Sequence, residues 1–109
     1  TQIRAASKIG AHVVELHTGA YCDLHYEKSY QERDAELSRL KDMASFAHSL
    51  GLEVHAGHGL TYDTVTPIAE LPEIVELNIG HFLIGESIFT GLKDAILRMR
   101  DLMDKARSK

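Results

Sequence analysis

Three short stretches hold the residues best suited to chemistry: "VELHTG" (14–19), "HAGHGL" (55–60) and "ELNIGH" (76–81). Each ends an apolar run with glycine and a polar or titratable side chain. A histidine, with an ordinary pKa near about 6.5, can donate or accept a proton around neutral pH. His58, set between Gly57 and Gly59, is the candidate for that task. Alternation with a period of two places it on one face with Leu52, Val54 and Ala56, aimed into the mouth of a site at the strand end. Glu15 shares a face with Val13 and His17. A carboxylate within an apolar strand is costly to bury alone, so it either meets a cation or histidine or serves in catalysis. Glycine lets backbone N–H groups approach an anion. "NIGH" before a helical segment is therefore the best phosphate candidate, through Gly80 and His81, with Gly59 beside it. The bland alternatives are glycines that only make tight turns and a histidine that is only structural. His55 and His58, three apart on a strand, point to opposite faces, and no Cys/His pairing supports a zinc site. Cys22 sits in a polar stretch without an obvious base, which argues against a catalytic thiol.

The elements that position these residues follow from pattern. "TQIRAASKIGA" reads as the last turns of a helix stopped by Gly10. "HVVELHTG", "LEVHAG" and "IVELNIG" read as strands. The stretch 21–31 has no clean period and reads as a loop with a helical turn. Glu32 to Leu50 is an amphipathic helix with Leu37, Leu40, Ala44 and Ala47 on one face, ended by Gly51. "TVTPIAELPE" suits a short helix, with Pro67 in its first turn. "HFLIGESIFTG" reads as a short helical insertion. "LKDAILRMRDLMDKARSK" reads as a long helix with Leu92, Ala95, Ile96, Met99, Leu102 and Met103 in one stripe. Strands alternating with helices imply a parallel sheet. Ligands of such folds bind at the carboxyl ends of the strands, which gathers the three glycine-containing ends on one side.

Composition bounds the rest. The 109 residues carry a net charge of −4 and are 44% hydrophobic, which suits one globular segment, 1–109. Clustered Lys and Arg are missing, so no nucleic-acid partner is expected. No apolar run is long enough for a membrane span, and no signal-peptide pattern opens the chain. The single cysteine permits no intrachain disulfide, and a cytoplasmic setting is the simplest reading. Three strands are few for a covered parallel sheet. A full (β/α)8 barrel takes about 250 residues, so the expected fold is α/β, the last three βα units of such a TIM barrel with an extra helix near the end.

"VELHTG", "AGHGL" and "ELNIGHFLIGESIF", in this order and spacing, resemble the pyridoxine 5'-phosphate synthase family. "QIRAASKIGA" and "GLKDAILRMRDLM" are similar to the same family, so the resemblance spans nearly the whole chain. It implies a cytoplasmic, oligomeric (β/α)8-barrel enzyme of pyridoxine biosynthesis, a transferase. That enzyme condenses 3-amino-1-hydroxyacetone 1-phosphate with 1-deoxy-D-xylulose 5-phosphate. The products are pyridoxine 5'-phosphate, phosphate and water, and no metal or organic cofactor is required. By the same resemblance Glu15 matches the glutamate that stabilises transition-state charge, and His58 the proton donor. Gly59, Gly80 and His81 match contacts to the amino-ketone phosphate.

Departures accompany the match. The family's proton-accepting histidine and glutamate lie on earlier strands and have no counterpart here. Thr64-Val65 stands where the family usually has Asn-Val. The expected chain is thus the phosphate side of a site that needs the remaining strands of its barrel, with small phosphate esters as partners and a homo-oligomer as assembly. Two other readings are a non-catalytic phosphate-binding or interaction module, and another phosphate-handling barrel enzyme such as an isomerase. "AGHG" argues against the last, since a simple phosphate cradle does not call for that histidine.

Overall fold

The structure, a computed structural model, describes residues 2–108; Thr1 and Lys109, at the ends of the expected first and last helices, lie outside the described residues. The element order is α1 (Gln2–Lys8), β1 (Val13–His17), α2 (Gly19–Tyr26), α3 (Tyr30–Ser49), β2 (Glu53–Gly57), α4 (Val65–Ala69), β3 (Ile74–Asn78), α5 (His81–Thr90) and α6 (Leu92–Arg107). The strands form one parallel sheet in the order β1-β2-β3. An α/β fold with a parallel sheet is thus as the alternation of patterns requires.

Alternation also decides what each strand buries. Leu16, Val54, Ala56 and Ile74 are buried, and Val14 and Leu77 pack against them. Leu40, Ala44 and Ala47 of α3 close over this face, joined by the partly buried Leu37. These are the residues whose spacing predicts the helix's apolar side. Gly51, at φ 79, ends α3, and the Leu52 N–H returns to the Ala47 carbonyl at 3.2 Å. The opposite face of the sheet carries Val13, Glu15 and His17 of β1, all exposed. By register it continues through Glu53, His55 and Gly57 of β2 to Glu76 and Asn78 of β3.

Two expectations are corrected. The stretch expected as a loop at 21–31 contains a helix, α2, which buries Tyr21 and Cys22. Only two neighbouring side chains of this short helix are buried, so it shows no repeating apolar period. Its hold is tertiary: the Tyr21 hydroxyl donates to the Thr64 carbonyl at 3.2 Å. The stripe expected on α6 is only partly used. Ala95, Met99 and Ala106 are buried, whereas Leu92 and Ile96 are about half exposed, at 49% and 46%. The helix packs mainly on α4 and α5 and reaches the sheet through Arg107, which donates to the Ile74 carbonyl.

Candidate functional site

The carboxyl ends of the three strands meet in a cleft of about 650 Å³ lined by Glu15, His58, Gly59, Thr61, Asn78, Gly80, His81 and Phe82, among others. All five residues that the sequence singles out for the site (Glu15, His58, Gly59, Gly80 and His81) therefore share one cavity, although 66 positions separate the first from the last. A larger cavity of about 770 Å³ lies on the outer side of β1, between α1 and α3, and is lined by apolar and polar side chains alike. It reaches Glu15 and His17 but none of the glycine turns.

His58 reaches the cleft by a route that alternation does not foresee. β2 ends at Gly57, and His58 takes φ 85, the left-handed region that a residue with a Cβ rarely adopts. The chain therefore leaves the period of two, and His58 does not follow buried Val54 and Ala56. Its ring instead stacks on His17 of the open face, with centroids 4.1 Å apart and planes 28° apart. Room for both rings comes from Gly19: a Cβ there would lie 2.6 Å from His17 Cε1 and 2.9 Å from His58 Cδ2. The Gly19 N–H lies 3.3 Å from His17 Nδ1, which accepts from it.

Glu15 is left free to face the cleft because its cross-strand neighbour is engaged elsewhere. His55 pairs with Glu15 in register, yet its ring nitrogens lie 2.6 Å from Glu53 Oε2 and 3.1 Å from Glu76 Oε2. Among the described residues no cation forms an ion pair with Glu15. Its carboxylate instead lies over Gly57, where a Cβ would come within 2.6 Å of Glu15 Oε1 and 2.7 Å of the Asn78 carbonyl. Gly57 thus makes the space that Glu15 occupies.

The remaining glycines separate by cause. Gly59 has φ 85, and a Cβ there would press on Cys22 Cβ at 3.3 Å, so the turn itself demands glycine. Gly80 has φ −124, and a Cβ would meet nothing within 4 Å. The fold does not require glycine at that position. A bound group approaching the backbone would, and Gly80 caps the N-terminus of α5, where unpaired amides favour an anion.

The loop between His58 and α4 is fixed by Thr64, which is fully buried. Its hydroxyl accepts from the Thr61 N–H at 2.9 Å, and the Val65 N–H returns to the Thr61 carbonyl at 3.0 Å. Tyr62 ties this loop to α5 and α6. Its ring meets Phe82 edge-on at 4.7 Å, its hydroxyl donates to the Ala95 carbonyl at 3.2 Å, and the Arg98 guanidinium lies over its face at 4.2 Å. Cys22 is buried behind the site, its Sγ donating to Thr64 Oγ1 at 3.7 Å; burial pushes its thiol pKa up, partly offset by its contacts with the Thr64 and Thr18 hydroxyls. Sequence reasoning missed Asn78 and Thr18. Asn78 shares the Gly57 register on the open face, a signal visible once the strands are aligned; Thr18 lies at the end of the first strand pattern, where neither its type nor its spacing marks it.

The family model described as "Pyridoxal phosphate biosynthesis protein PdxJ" matches residues 1–105. The chain belongs to the PdxJ family. A pyridoxine 5'-phosphate synthase of Roseobacter denitrificans is 73% identical over 107 residues, covering 98% of this chain and 43% of that protein. Synthases of the same name from Ruegeria pomeroyi and Jannaschia sp. are 67% and 64% identical over the same share. The chain thus spans less than half the length of these relatives. Membership connects it to pyridoxal phosphate biosynthesis, and the resemblance carried by the three strand-end motifs is borne out at the level of the family.

Proposed function

We propose that this PdxJ segment forms the carboxyl-terminal part of a (β/α)8 barrel that catalyses the ring-closing condensation of 3-amino-1-hydroxyacetone 1-phosphate with 1-deoxy-D-xylulose 5-phosphate. Schiff-base formation, phosphate loss and dehydration each move protons at carbon or oxygen, and a histidine beside a carboxylate suits them. His58 donates a proton during ring closure. Glu15, facing the same cleft, stabilises the positive charge that develops on nitrogen and carbon. Gly80 and His81, at the start of α5, and Gly59, in the turn after β2, hold the amino-ketone phosphate through backbone N–H groups. The open face of the sheet is the barrel interior in this reading, and the missing proton acceptors belong to strands outside this chain.

One observation carries the proposal: His58, Glu15 and the Gly80–His81 turn line a single cleft at the carboxyl ends of three parallel strands. The test is a chimera in which this chain replaces the matching segment of the Roseobacter denitrificans synthase. We expect it to form pyridoxine 5'-phosphate from the two substrates, and His58→Gly to slow it by about 10²–10⁴-fold, the usual worth of a general acid. Phosphate-ester binding without turnover would instead favour the non-catalytic module.

A further inference from the structure

Among the described residues only Lys28 and His58 hold a positive φ without being glycine, and His58 is the one in the cleft. Such a conformation persists where the surroundings over-determine it. The group that does so is Thr18, at 1% exposure. Its N–H donates to the Gly57 carbonyl at 2.8 Å, and its hydroxyl lies 2.8 Å from that oxygen and 2.7 Å from the His58 carbonyl. The single hydroxyl proton is shared between the two carbonyls that flank the turn.

That use of the hydroxyl is a choice. Thr18 is the N-cap of α2, and a threonine there ordinarily accepts a hydrogen bond from an amide in the helix's first turn. Here it makes no such bond. The hydroxyl has left its own helix to hold the end of the neighbouring strand. Gly19, next in sequence, supplies the space over which His17 and His58 stack. The pair Thr18–Gly19 thus fixes both the backbone and the ring of His58.

Building on the reaction proposed above, we propose that Thr18 is a positioning residue acting through His58, its hydroxyl setting the Gly57–His58 peptides so that the imidazole points into the cleft. A misplacement of about 1 Å in a catalytic group can cost about 10²-fold in rate. In the chimera, Thr18→Val should therefore lower kcat by about 10²-fold while leaving KM for both substrates nearly unchanged. Thr18→Ser should restore most of the rate. Thr18→Val added to His58→Gly should cost little more than His58→Gly alone. Spectra of the same proteins with ¹³C-labelled histidine should show the His58 and His17 signals displaced by Thr18→Val and returned by Thr18→Ser.

Unchanged histidine signals in Thr18→Val would overturn the proposal, as would displaced signals with an unchanged kcat. An equal loss from Thr18→Val with and without His58 would also overturn it, by showing a purely structural role. A wild-type chimera without synthase turnover would sink the reaction assignment instead, and the histidine spectra would then still decide whether the hydroxyl holds His58.

Discussion

His58 carries two opposing demands at the residue scale. A Cβ in the left-handed region costs about 1–2 kcal/mol relative to glycine, while the imidazole gains a stacked neighbour in His17. His58→Gly should therefore leave the urea midpoint equal to the parent's or higher, whereas His58→Ala keeps the backbone cost and loses the ring. A midpoint lowered by the glycine would mean that ring stacking outweighs strain. Tyr21 offers a separate handle on the wall behind the site. Burial first, and then the neighbouring Cys22, raise its pKa from 10.0 to about 12. The fold therefore holds this proton more tightly than the unfolded chain does. The resulting stability is complete below pH 10, declines as pH rises, and is gone once pH passes about 12. Urea unfolding between those values should show the decline, and Tyr21→Phe should remove that part of the slope. A slope equal in both proteins would refute the assignment. Of these features, the candidates His58, Glu15 and Gly80 were legible in residue type and spacing. The direction of His58 was not, because a positive φ on a non-glycine residue leaves no mark in the pattern.

At the scale of elements, one side chain joins the last helix to the last strand. Arg107, near the end of α6, sends Nη1 to the carbonyls of Ala69, Leu71 and Ile74 at 3.2, 2.7 and 3.0 Å. These close the turn between α4 and β3, which sets the height at which β3 delivers Asn78 and Gly80. Hydrogen bonds involving a charged partner contribute about 1.5–3 kcal/mol, so Arg107→Ala should lose an amount of that order. Arg107→Lys, with a point charge in place of a fork, should fall between. The check is the denaturation midpoint at constant slope, and an unchanged midpoint for the alanine variant would show that water replaces the contacts at no cost. Helices α3, α5 and α6 are legible because each is long enough to display its apolar period or is bounded by glycine. α2 is not, since its existence rests on Tyr21 and Cys22 meeting residues more than 40 positions away.

For the whole molecule, the helical layer covers one face of the sheet and leaves the other open. Val13 and Val75 are 45% and 61% exposed, and Ile84, Ile88 and Phe89 form a second exposed apolar group on α5. Parallel sheets are ordinarily covered on both faces, and patches of this kind promote association. The isolated chain should therefore elute above monomer size in size-exclusion chromatography, increasingly so at higher concentration. A concentration-independent monomer with a cooperative melt would count against that. The sequence by itself determined the three strands, the parallel order of the sheet, the family and the residues that could move protons or meet a phosphate. Each of these is written in local periodicity or in short motifs, where side-chain type and spacing act within one element. Only the tertiary structure decided that Glu15 lies over Gly57, that His17 stacks on His58, and that Thr18 leaves its helix to hold a neighbouring strand. Those outcomes depend on the register between strands and on space left where a Cβ is missing, and such quantities exist only once the chain has packed.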